Sequence, residues 1–312
     1  MQRILPRGEI ESLDHTYIPR VFVAKERFAF QERANRLRQL APTSTIKDYL
    51  LLMAHVADAQ HDALAKYTAI PGPAAEKVER AQAHGMPPLQ ATGWARDPQW
   101  LAILADILAH IEKQIDVVES AKVITQAIAV AIEEQPEALE NLADAILARF
   151  EEGVDAASAP FVMAALQVYW TRLAIDFDEK QLPVITPFGL CPCCGSLPVS
   201  SIVRIGGRRD GMRYATCSLC TTEWHIVRVT CTQCESTKDV AYHSIEEGAE
   251  AIKAESCGSC NTYRKIFYQD KDHMVEAVAD DLASLELDML MGEEGFFRVN
   301  DNPLLWQQTS ND

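Results

Sequence analysis

Apolar residues recur at helical spacing through the first half of the chain. From Asp97-Pro98, the stretch DPQWLAILADILAHIEKQI sets Trp100, Ile103, Leu104, Ile107, Leu108, Ile111 and Ile115 on one stripe. That period of about 3.6 residues predicts an amphipathic helix with Asp97 as N-cap and Pro98 in the first turn. ERFAFQERANRLRQL (26–40) and TIKDYLLLMAHVADAQHDALAKYTAI (45–70) predict two earlier helices, and the second stops before Pro71-Gly72-Pro73. Residues 71–98 are richer in Pro and Gly and read as a surface loop. AKVITQAIAVAIEE (121–134) and PEALENLADAILARFEE (136–152) follow as alanine-rich helices divided at Pro136. APFVMAALQVYWTRLAIDFD (159–178) is apolar on most sides, which predicts the central, most buried helix. The expectation is an all-helical domain of five or six helices over residues 1–180.

The pattern changes at EKQLPVITPFGL (179–190), a Pro- and Gly-bearing linker. Beyond it, VSSIVRI, the turn GGRRDG and MRYAT predict a hairpin, with TEWHIVRVT as a third strand. DVAYHSI and AIKAES around EEGAEA, then NTYRKIFYQ, repeat that plan. DKDHMVEAVADDLASLELDMLMGEEG (270–295) predicts one more helix, with Val275, Val278, Leu282, Leu285 and Leu290 towards a core and an acidic far side. The tail RVNDNPLLWQQTSND has Leu304, Leu305 and Trp306 as its docking residues. The fold class is α+β: a helical domain, two tandem ribbons over 181–228 and 229–270, then an acidic helix and tail over 271–312.

The strand-rich part carries the chemistry. All nine cysteines fall within residues 191–260. Eight form two sets, Cys191, Cys194, Cys217, Cys220 and Cys231, Cys234, Cys257, Cys260, the second displaced from the first by 40 residues at every position. Such repetition marks one structural unit used twice. Each Cys-x-x-Cys turn presents two thiolates, and a hairpin brings two turns together around a tetrahedral metal. A unit of about 40 residues is too small to fold on apolar burial alone, and a structural metal contributes on the order of 10–16 kcal/mol at neutral pH. Tetrahedral coordination by four sulfurs suits zinc or a mononuclear rubredoxin-type iron, and the ligand set does not separate them. The rubredoxin-like turn CPCCG, with Gly195, favours iron at the first site over the second, whose turns CTQCE and CGSCN lack that glycine. Cys193 is left over, either a variable position within its turn or an exposed thiol beside the metal.

After the first site, Trp224, His225 and Arg228 lie on one strand, near Arg204, Arg208, Arg209 and Arg213. They read either as a packed strand with a solvated turn or as a partner surface, since Trp and Arg anchor interfaces. His55 and His61 in the second helix and His110 in the Trp100 helix read as packed or surface residues. No phosphate-binding Gly loop, Gly-x-Ser-x-Gly or His-Glu-x-x-His is present, so no enzyme is expected.

Composition narrows the remaining classes. The 312 residues carry a net charge of −16. Residues 191–270 balance nine basic against nine acidic side chains, and residues 271–312 hold two basic and ten acidic ones. That lacks the basic footprint of a nucleic-acid-binding zinc ribbon. The first residues have no secretory h-region and no run approaches a membrane span, which leads to the expectation of a cytoplasmic protein without stable membrane insertion. A rubredoxin-type electron carrier or oxidoreductase stays open as a second class.

CPCCGSLPVSS, CSLCTTEWHIVRVTCTQC, AIKAESCGSC and EAVADDLASLELD, in this order, resemble the formate dehydrogenase accessory protein FdhE family over residues 184–290. The resemblance implies a non-enzymatic cytoplasmic assembly factor for respiratory formate dehydrogenases with rubredoxin-like metal modules. It implies binding to the enzyme's catalytic subunit before export through the twin-arginine pathway. The family's metal ligands fall on the eight paired cysteines, whereas Cys193 departs from the family's usual turn.

Overall fold

The computed structural model describes residues 18–23, 28–114, 119–150, 153–185, 187–246 and 248–306. Among these, seven helices fill the first half: α1 (Ala29–Leu40), α2 (Lys47–Lys66), α3 (Ala75–Ala83), α4 (Gln99–Glu112), α5 (Glu119–Glu134), α6 (Pro136–Ala148) and α7 (Ala159–Ile175). The expected five or six omit α3, which interrupts the stretch read as loop. None of its residues is fully buried and only the half-buried Val78 packs on the core, so its short stripe is masked by the prolines and glycines around it. Asp97 Oδ1 accepts the Gln99 N–H at 2.9 Å and opens α4, whose stripe from Trp100 to Ile111 is buried. Ile115, the N-terminal stretch 1–17 and the tail 307–312 lie outside the described residues.

Helix α7 is the axis of this half. Every residue from Ala159 to Ala174 is buried, and both α2 and α4 pack against it. A helix apolar all round has no face to give to water. Its buried Gln167 is satisfied in two directions. The side-chain oxygen accepts from Gln60 Nε2 at 2.9 Å, and Nε2 donates to the Ser218 carbonyl at 2.6 Å. The second bond ties the helices to the strands.

The strands form one sheet: β1 (Val21–Phe22), β2 (Pro198–Val203), β3 (Arg213–Cys217), β4 (Glu223–His225), β5 (Val240–His243), β6 (Ile252–Cys257), β7 (Thr262–Tyr268) and β8 (Phe297–Arg298). Their order is β1-β4-β3-β2-β7-β6-β5, with β8 also on β7. The two ribbons, β2–β4 and β5–β7, are antiparallel within themselves. They join through a parallel pairing of β2 with β7. β1 extends the sheet beyond β4, with Val21 opposite Trp224. The third strand expected over 222–230 is confined to Glu223–His225.

The C-terminal helical segment is two short helices, α8 (Ala279–Ala283) and α9 (Leu285–Glu293), not one run from 270. Glu276 Oε2 accepts the N–H groups of Val278 and Ala279 and starts α8 late. The Ser284 hydroxyl donates to the Asp280 carbonyl and interrupts the run. Val275, Val278 and Leu282 are buried as expected, but Leu287 and Met291 take the core positions on α9, and Leu290 is exposed. The acidic face is not simply solvated. Asp280 and Asp281 are fully buried, the first held by Arg36 at 2.6 Å and the second by Arg298 at 2.5 Å. In the tail, Leu304 is buried, and Leu305 and Trp306 pack on the same core.

Lys265 on β7 is fully buried, pairs with Asp288 at 2.6 Å and donates to the carbonyls of Asp281 and Ser284. Lys265→Ala leaves buried carboxylates short of a cation. We expect a stability loss of about 3–5 kcal/mol in urea unfolding, and an unchanged midpoint would show that the pair does not hold the C-terminal helices to the sheet.

Candidate metal centres

Each ribbon brings its two Cys-x-x-Cys turns together at one end of its hairpin. In the first, Cys191 Sγ lies 3.5 Å from Cys220 Sγ and Cys194 Sγ lies 3.4 Å from Cys217 Sγ. In the second, Cys231–Cys260 and Cys234–Cys257 are both 3.7 Å. Within each set the four sulfurs lie within 4.8 Å of one another. A tetrahedral metal with bonds of about 2.3 Å to sulfur sets its sulfurs roughly 3.8 Å apart, whereas a disulfide needs about 2.05 Å. The donor sets therefore fit a metal ion and do not fit disulfides.

The backbone of the turns repeats as well. Cys191 N–H donates to the Ser196 carbonyl and Cys231 N–H to the Ser236 carbonyl, both at 2.9 Å. The residue after each second cysteine takes positive φ: Gly195 at 76°, Thr221 at 57°, Glu235 at 60° and Asn261 at 54°. Glycine adopts this region freely and the other three bear a steric cost, so the missing glycine in the second ribbon does not alter its turn. The N–H groups of Leu219 and Cys220 point at Cys217 Sγ, and that of Gln233 at Cys231 Sγ, all at 3.4 Å. Such donors stabilise thiolate.

Charge follows the same logic. Burial works to raise the Cys220 thiol, yet hydrogen bonds from Cys191, Cys193, Cys194 and Cys217 outweigh it and hold Cys220 well below the usual range. Cys257 is likewise opposed by burial but drawn down to about 7 by the N–H groups of Cys260 and Ser259 and by neighbouring thiols. In each set one thiol thus ionises ahead of its neighbours, since Cys191 and Cys217 in the first and Cys231 and Cys234 in the second are raised. The thiolate is the form a metal binds. Beside the second set sits the fully buried Arg264, whose pKa is pushed down to about 9, chiefly by burial and then by Arg213 and Arg298. The negative charge of Cys231 acts in the other direction. A metal–tetrathiolate centre there would supply Arg264 with a counter-charge.

The two sites differ in depth. All four cysteines of the first are buried, whereas Cys234 of the second is exposed and Cys260 half-exposed. The first lies under the helical half: Leu89 and Ala91 N–H donate to the carbonyls of Cys193 and Cys194 at 3.0 Å, and Trp170 Nε1 donates to the Leu89 carbonyl. No sequence signal marks this docking. Cys193 is fully buried, which corrects the reading of an exposed thiol. Beside the first turn opens a cleft of about 590 Å³, where Cys194, Gly195, Thr232, Gln233 and Trp306 bring both ribbons and the tail together.

The other singled-out residues scatter. Trp224 is 4% exposed and donates Nε1–H to the Phe188 carbonyl, so its ring belongs to the core. His225 packs edge-on to Tyr214, and burial lowers its pKa. Arg228 alone of that trio is open. The basic cluster disperses: Arg204 and Arg209 pair with Glu223, Arg213 is buried against Glu255 at 2.8 Å, and Arg208 is exposed.

The architecture can now be set beside known proteins. The profiles "FdhE, N-terminal", "FdhE, central domain" and "FdhE, C-terminal domain" match residues 18–186, 190–228 and 229–305 in turn. The chain belongs to the FdhE family. Protein FdhE of Salmonella typhimurium (strain LT2) is 39% identical over 311 residues, covering 97% of both chains. The FdhE homolog of Serratia proteamaculans is 39% identical over 97% of this chain and 98% of its own. The crystal structure of FdhE from Pseudomonas aeruginosa superposes with a TM-score of 0.82 at 34% identity, over 92% of this chain and 99% of that one. The Pseudomonas aeruginosa FdhE therefore shares this arrangement of helices followed by strands over the matched span.

Two outcomes test the centres. With Cys191 and Cys194 both changed to Ser, elemental analysis should find metal only at the second site, and retention of both equivalents would refute the pairing. A chelator should empty the exposed second site well before the buried first, read from two phases of metal release. A single phase lost from both sites together would contradict the difference in depth.

Proposed function

We propose that this FdhE-family protein is a cytoplasmic accessory factor in the maturation of a respiratory formate dehydrogenase, acting by binding the enzyme's catalytic subunit and not by catalysis. The observation that carries this reading is family membership along the whole chain, from residue 18 to residue 305. The geometry agrees with it. Two four-cysteine sites stiffen the strands, and the buried one is tied to the helical half, which suits a pre-shaped binding platform. No helix among the described residues is long and apolar enough to cross a membrane.

The metal is iron or zinc, and both sites are structural in this reading. One observation favours a second role, rubredoxin-type electron transfer: the exposure of Cys234 brings the second site to the surface. An iron there would exchange electrons without leaving its ligands. Co-expression with the catalytic subunit and affinity purification without oxygen tests the first reading. Co-elution of the two, together with loss of formate dehydrogenase activity in cells lacking this protein, is the expected result. Failure to co-elute alongside two irons that cycle reversibly would favour the electron carrier instead.

A further inference from the structure

Away from the ribbons, the helical half brings together three side chains that the sequence keeps apart. His55 and Asp58 stand three residues apart on α2 and share a face. His110 stands in the last turn of α4, which packs against α2. A ligand atom from each lies within 4.8 Å of the other two, and all three side chains are half-buried at the surface. We propose that His55, Asp58 and His110 form a third metal site, for a borderline divalent ion such as Zn2+.

Two imidazoles and one carboxylate are a donor set such ions accept, and three protein ligands leave a position open to water or to a donor from a partner. Metal bonds of about 2.0–2.1 Å place tetrahedral donors roughly 3.4 Å apart. The carboxylate is already oriented. Arg38 grips both oxygens of Asp58, one in a short ion pair and the other at 3.3 Å, and Gln31 Nε2 reaches one of them at 3.5 Å. Outer hydrogen bonds of this kind hold the carboxylate ligands of metal sites. Asp62, a further turn along α2, lies 3.7 Å from His110 Nδ1, within ion-pair range but beyond a hydrogen bond. His61 belongs to none of this, since it stacks on Phe28. An ion bound here clamps α2 to α4 near the surface, and it does so with nitrogen and oxygen where the ribbons use only sulfur.

That difference makes the site testable in the full-length protein. Both ribbons are first filled with zinc and excess metal is removed. Co2+ is then added, and bound metal is counted by elemental analysis. The expected result is one further equivalent with weak visible absorption and no intense thiolate charge-transfer band. His110→Ala and Asp58→Asn should each lose that equivalent while keeping the ribbon zinc, and His61→Ala should keep it. Because Asp58→Asn also loosens the Arg38 pair, His110→Ala is the deciding variant, and its retained zinc and helical circular dichroism show that it folds. The proposal is overturned if the parent protein takes up no further cobalt, or if His110→Ala takes it up unchanged. It is equally overturned if cobalt appears with strong thiolate absorption as zinc is released, since the metal has then entered the ribbons.

Discussion

The parallel pairing of Ser201, Ile202 and Val203 with Ile266, Phe267 and Tyr268 is a short seam, and two metal ribbons become one sheet along it. Because the seam is parallel and joins the first strand of one ribbon to the last strand of the other, the second unit repeats the orientation of the first, one step along. Buried charges brace the joint from both sides. Arg213 of the first ribbon pairs with Glu255 of the second, and Arg264 of the second donates to the Pro198 carbonyl of the first. Leaving any of these unpaired in a dry interior is costly, so the seam resists sliding. Each metal centre thereby supports a strand on which the other ribbon depends.

The repeat is regular in sequence and unequal in surroundings. One centre is enclosed by α7, the segment around Leu89 and the overlying helices, and the other reaches solvent through Cys234. The same ligands then operate in different dielectric environments. Charge on the inner centre is felt strongly by its neighbours, whereas water and salt screen the outer one. Identical spacing does not imply identical chemistry.

The cysteine framework was legible because its signal is local: spacing within a turn and a repeat distance between turns. The α4 stripe and the burial of α7 were legible for the same reason. What escaped depended on partners far away in sequence. Asp280 and Asp281 look like a solvated face until Arg36 and Arg298 are brought to them. β1 is two residues whose pairing with β4 has no pattern of its own. α3 has no fully buried residue and offers only Val78 to the core, and its short stripe lies in a Pro- and Gly-bearing stretch that reads as loop. Trp224 read either as a packed strand residue or as a partner surface, and its pairing with β1 and β3 and its bond to the Phe188 carbonyl decide for the packed strand. His55 and Asp58 are at contacting spacing on one helix, the single local hint of their cluster; the position of His110 follows only from helix packing.

The buried guanidinium groups of α1 link the two ends of the chain. Arg33 meets Glu276, and Arg36 meets Asp280, 244 residues later. On the ribosome, α1 emerges long before the carboxylates that neutralise its arginines are made. Until then its arginines must remain hydrated, since burying them alone would be prohibitive. The face of α1 that carries these arginines therefore reaches its final packing only after the segment bearing Glu276 and Asp280 has been made.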